Sequence, residues 1–100
     1  WVFHLNRAST VVLAEKLSMG GVSGTTVDLR LLYKSALERL TSSIILAHNH
    51  PSDQMRPSKA DVDLTKQVVA AGKIFDIDVV DHLIVGASTF YSFADEGKLN

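Results

Sequence analysis

The sequence contains no cysteine. That absence excludes a disulfide framework and every thiolate metal site, including the closed sites that usually hold structural zinc. It also fits a reducing compartment, and the expected location is cytoplasmic. An excess of one charge is missing too: 10 Lys and Arg stand against 11 Asp and Glu, a net charge of -1. The basic residues Arg7, Lys16, Arg30, Lys34, Arg39, Lys59 and Lys66 form no run. A nucleic-acid partner therefore has no electrostatic footprint here. No apolar run approaches the ~20 residues that a membrane-spanning helix needs. No secretory signal is expected, and the chain starts at Trp1-Val2-Phe3 without Met. It is expected to be a piece of a longer protein that lacks N-terminal residues. What is present is a 46% hydrophobic composition over 100 residues, enough for one core and one domain, residues 1–100.

Residues 1–5 are apolar and aromatic and read as a strand, and Asn6-Arg7-Ala8-Ser9 as a turn. Residues 11–19 alternate, with Val11, Leu13, Glu15, Leu17 and Met19 on one face, which predicts a strand ended by Gly20-Gly21 and Gly24. Asp28 is placed to cap a helix whose apolar stripe is Leu29, Leu32, Tyr33, Ala36, Leu37 and Leu40. The short run Ile44-Ile45-Leu46 within residues 43–47 predicts a strand buried on both faces. Pro51 and Pro57 bracket a loop. A second helix starts near Ser58, with Leu64, Val68, Ala71 and Phe75 inward, and strands follow at 77–85 and 89–93. The order ββαβαββ predicts an α/β domain, a mixed β-sheet with helices packed against it.

Chemistry concentrates between residues 48 and 61. His48 and His50 are two apart, so on an extended segment both imidazoles point the same way. Pro51 biases His50 toward extended backbone. Asp61 falls in the first turn of the next helix and can reach back to them. Alone, His-x-His is usually an exposed loop feature, and Ser58-x-x-Asp61 is a helix-capping box. Together, two imidazoles and a carboxylate are the ligand set of a catalytic zinc site with an open position. Cap and ligand are compatible roles for Asp61. The zinc-deaminase pattern needs His-x-Glu and cysteines, and helical His-Glu-x-x-His is absent. A two-His-one-carboxylate iron site shares these ligand types, so ligand chemistry alone leaves iron open.

His-x-His, seven residues, Ser, two residues and Asp resembles the signature of the JAMM (MPN+) metalloproteases. The flanks Ile44-Ile45-Leu46-Ala47-His48-Asn49-His50-Pro51-Ser52, Pro57-Ser58, Leu64-Thr65-Lys66 and Asp81-His82-Leu83-Ile84-Val85-Gly86 resemble the bacterial RadC family, over essentially the whole chain. Asp53 stands where that family usually has Gly.

The resemblance implies one MPN/JAB-type domain with a cytidine-deaminase-like layered architecture. It implies Zn2+ held by His48, His50 and Asp61, hydrolysis of an amide bond in a peptide or protein substrate, and Ser58 as a donor to the oxyanion. The family's catalytic Glu stands just before the first apolar strand, so the matching residue is expected upstream of Trp1. Within the chain, Glu15 is the substitute candidate for the base; its other reading is an edge residue facing solvent. His82, in an apolar strand beside Asp81, is expected to be a hydrogen-bonded core histidine supporting the site rather than a fourth ligand. His4 alternates with core residues and carries no signal of its own. The alternative function is a non-catalytic module associated with DNA repair or recombination, a label RadC proteins have carried.

Overall fold

A short hairpin opens the chain because Asn6 turns it. The Asn6 side-chain oxygen accepts from the backbone N–H groups of Ala8 and Thr10, and Ser9 takes the left-handed conformation at φ 59. The structure, a computed structural model, describes residues 1–17, 27–50 and 55–99. Its elements are β1 (Val2–Leu5), β2 (Val11–Glu15), α1 (Leu29–Glu38), β3 (Ser43–Asn49), α2 (Lys59–Phe75), β4 (Asp78–Val85) and β5 (Phe90–Ser92). The ββαβαββ order is as expected. One five-stranded sheet has the order β2-β1-β3-β4-β5. β1 runs antiparallel to β2 and β3, β3 runs parallel to β4, and β5 returns antiparallel, so the sheet is mixed.

The second strand is shorter than its alternation predicts. Its last paired residue is Glu15, opposite Val2 of β1. Lys16 and Leu17 lie outside the strand. Ser18, Met19, Gly20, Gly21 and Gly24 fall outside the described residues, as do Pro51 and Asp53.

Both helices pack on one sheet face. The core unites Val2, Ile44 and Leu46 with Leu32, Tyr33 and Ala36 of α1, Val68 of α2, and Ile77. The Tyr33 hydroxyl donates to the Val68 carbonyl at 2.6 Å and ties the helices together. Asp28 caps α1 through the N–H of Arg30. The expected stripe of α1 holds at Leu32, Tyr33 and Ala36 but not at its end. The helix stops at Glu38, and Leu40, at φ 50, is 86% exposed.

In α2 the buried line is Asp61, Thr65, Val68 and Gly72, displaced from the apolar residues Leu64, Ala71 and Phe75. The displacement aims two polar side chains at the sheet, under the first half of the helix. Gly72 has a packing reason: a Cβ there would come within 2.3 Å of the Ile77 carbonyl oxygen, where the chain doubles back through left-handed Asp76. No described helix is long and apolar enough to cross a membrane.

Candidate metal centre

The parallel pairing of β3 with β4 carries His48 to the end of the sheet, where open α/β sheets tend to bind ligands. His50 lies just beyond β3, yet its N–H donates to the Val85 carbonyl at 3.0 Å. That bond continues the pairing past the strand and keeps both imidazoles on one side, as the two-residue spacing predicts. Asp61 arrives from α2. The Ser58 side chain accepts from the Asp61 N–H at 3.1 Å, and the Ser58 N–H donates to Asp61 Oδ2 at 2.8 Å. This is a complete capping box.

The three side chains converge. His48 Nε2 lies 3.0 Å from His50 Nε2 and 3.1 Å from Asp61 Oδ1, and His50 Nε2 lies 3.4 Å from Asp61 Oδ2. Four ligands at the usual zinc distances of ~2.0–2.1 Å stand ~3.3 Å apart at the corners of a tetrahedron. The His48–His50 and His48–Asp61 Oδ1 spacings lie near that edge, His50 approaches the other oxygen, Oδ2, and the donor set is one that zinc accepts. His48, His50 and Asp61 form the group among the described residues that could hold a metal ion. The structure thus brings together all three residues expected as ligands.

Electrostatics favour the ligand forms. Burial pushes His48 below the ordinary imidazole value, and nearby His50 adds to this against the opposing pull of Asp61. Burial of the Asp61 carboxyl works to raise it, but the hydrogen bonds from Ser58, then the charges of His48 and His50, outweigh this and hold it below the carboxylate range. Asp61 is therefore an anion although only 3% exposed.

Behind the cluster stands His82, 1% exposed. Its Nε2 faces His48 Nδ1 at 3.0 Å, and its Nδ1 faces Thr65 Oγ1 at 2.6 Å. It supports a ligand and is not one of the group, as the sequence predicts. Burial lowers its pKa to about 4. Asp81 fixes the strand around it by accepting from the His82 N–H, the Ala94 N–H and the Ser92 hydroxyl. Thr65 escaped the sequence reading. Besides its place in the family-like flank Leu64-Thr65-Lys66, its signal is its i+4 position from Asp61, which puts both on one helix face.

Ser58 is exposed beside Asp61, and its capping bond uses only an acceptor lone pair. Glu15 is not at the cluster, which corrects its candidacy as base. Nor is it a bare solvent-facing edge residue: it accepts from Ser35 Oγ and pairs with His4 Nε2, both at 3.0 Å. His4, fully buried, reaches Thr41 Oγ1 through its other nitrogen at 3.2 Å. That network needs residues from four separate segments, so spacing does not announce it. Trp1 does adjoin the site. It lines a cavity of about 30 Å³ with His48, His82, Leu46 and Leu64.

The sequence profile of the RadC-like JAB domain matches residues 1–98. A UPF0758 protein of Flavobacterium johnsoniae is 46% identical over 97 residues, which are 97% of this chain and 42% of that protein. A UPF0758 protein of Porphyromonas gingivalis is 47% identical over 100 residues, covering 99% of this chain and 44% of its own length. UPF0758 protein YfjY of Escherichia coli is 43% identical over 98 residues, 61% of its length. The chain thus spans less than half of the first two relatives.

Proposed function

The chain belongs to the RadC-like JAB domain family, and on that footing we propose that it is the metal-binding domain of a zinc-dependent hydrolase acting on an amide bond of a peptide or protein. One observation carries the reading: His48, His50 and Asp61 bring their donor atoms to spacings of 3.0–3.4 Å at the end of β3. His48 and His50 would hold the ion through imidazole nitrogens and Asp61 through its carboxylate. When bound, zinc supplies Lewis acidity toward a carbonyl oxygen and makes water a nucleophile at neutral pH.

The chain's own residues supply the rest. The capping box fixes the Asp61 carboxylate through Oδ2 and leaves Oδ1 facing His48. The Ser58 hydroxyl hydrogen, unused by the cap, is the donor for a carbonyl oxygen that gains negative charge. Among the described residues no carboxylate besides Asp61 joins the cluster. The resemblance to the JAMM signature implies a Glu just before the first strand as proton acceptor, and Trp1, next to that strand, lines the cavity beside His48 and His82.

The test is cleavage of a mixed peptide library, followed by mass spectrometry, using a zinc-loaded protein that includes the residues before Trp1. New amide cleavage that His50→Ala abolishes is the expected result. A zinc-saturated extended protein that cleaves nothing overturns the hydrolase reading.

A further inference from the structure

His48 has an imidazole neighbour at each ring nitrogen. Nε2 faces His50 and Asp61, and Nδ1 faces His82 Nε2 at 3.0 Å. From His82 the contacts run on: Nδ1 to Thr65 Oγ1 at 2.6 Å, then Thr65 Oγ1 to the backbone carbonyl of Asp61 at 2.8 Å. The path leaves one member of the metal cluster and returns to another.

Proton counting gives this path one direction. With an ion on His48 Nε2, the Asp61 carbonyl is the acceptor left for the single hydroxyl hydrogen of Thr65. Thr65 Oγ1 must then accept from His82 Nδ1–H. A neutral imidazole carries one N–H, so His82 Nε2 bears a lone pair and accepts from His48 Nδ1–H. His48 Nε2 is left with a lone pair aimed at His50 and Asp61. The reverse order would put a hydrogen on His48 Nε2, where an ion must sit.

Water does not blur the order. Thr65 and His82 are each 1% exposed, and His82 stacks on Phe93 at 4.6 Å with an 8° tilt that holds its ring plane. Among the described residues no buried side-chain nitrogen or oxygen lacks a partner. In such surroundings a broken link leaves a buried polar atom unmatched.

We propose that Thr65 and His82 are positioning residues that set the tautomer of His48 and present its Nε2 lone pair to the metal. The inference rests on the metal reading above and extends it to two residues that touch neither ion nor substrate. A histidine ligand commonly donates its second N–H to a carboxylate or a carbonyl. Here the acceptor is an imidazole, which can run either way. Thr65 gives the His82 Nδ1–H a buried acceptor and has the Asp61 carbonyl for its own hydroxyl hydrogen.

The test reads the imidazole nitrogens directly. Long-range proton–nitrogen correlation spectra of histidine-labelled, zinc-loaded protein at pH 7.5 should show His82 as the Nδ1–H tautomer. Thr65→Ser keeps the hydroxyl and should keep that spectrum and the zinc affinity. Thr65→Val keeps the shape but loses the hydroxyl; the His82 preference should vanish and zinc affinity, measured by chelator competition, should fall by about 10–100-fold. An Nε2–H tautomer at His82 in the unmodified, zinc-loaded protein overturns the proposal without any variant, as does wild-type zinc affinity in Thr65→Val. Failure of the metal reading looks different: the unmodified protein would bind no zinc at all, which removes both readings.

Discussion

Ser58 and Asp61 hold each other reciprocally, Ser58 Oγ accepting from the Asp61 N–H while Asp61 Oδ2 accepts from the Ser58 N–H. The helix start and the carboxylate of the metal cluster are thus one device. Asp61 anchors one oxygen in the cap and keeps the other, Oδ1, 3.1 Å from His48 Nε2. The cap also supplies hydrogen bonds that help a buried carboxyl stay ionised.

Substitution of Ser58 separates its two roles. Ser58→Ala loses the side-chain half of the cap but keeps the backbone half, because the Ser58 N–H still reaches Asp61. Stability should fall by ~1 kcal/mol, with zinc occupancy unchanged. In the extended, active protein the same change should cut turnover by roughly 10²–10³ if Ser58 is the oxyanion donor. Wild-type turnover at full zinc occupancy would reduce Ser58 to a cap.

Acid should destabilise the metal-free protein in a defined window. The folded pKa of His82 is about 4, against 6.5 for an ordinary imidazole. Between these values the unfolded chain binds the proton and the folded chain does not. Stability is therefore full above pH 6.5 and is lost as pH falls toward 4, by roughly 3 kcal/mol. Asp61, also lowered, adds a further loss below pH 3.8. Urea midpoints measured in chelator should be level near pH 7–8 and drop between pH 6.5 and 4. His82→Phe should shrink that drop; an unchanged acid limb in this variant would contradict it.

Glu15 provides the opposite control. It binds His4 and Ser35, not the metal cluster. Glu15→Ala leaves the fully buried His4 without its Nε2 partner and should cost about 1–3 kcal/mol. Zinc affinity should not change, and Glu15→Gln should retain turnover in the extended protein. Loss of turnover in Glu15→Gln with zinc still bound would make Glu15 the base after all.

Why some of this was legible in the sequence and some not follows from how far apart the partners lie. The cap, the Asp61 ligand position and the His48/His50 pair are local: each depends on a spacing of two or three residues, which helix and strand geometry convert directly into direction. The end of β2 was not local. Its alternation runs on past Glu15, whereas its last pairing is set by a residue of another strand, Val2. Leu40 fits the helical stripe and is nonetheless exposed, because the helix ends at Glu38 and Leu40 itself takes the left-handed conformation. The contact of His82 with His48 depends on the β3–β4 register, in which Leu46 pairs with His82 and His48 with Ile84. The apolar run around His82 shows burial but not register. The His4–Glu15–Ser35–Thr41 network joins β1, β2, α1 and the approach to β3, and no single stretch of sequence contains it.

Elemental analysis of residues 1–100, purified without chelator, tests the central claim most directly. The arrangement of His48, His50 and Asp61 predicts about one zinc per chain, and His50→Ala, folded by circular dichroism, should lose it. Equal metal content in the two proteins, or none in either after incubation with zinc, would contradict it.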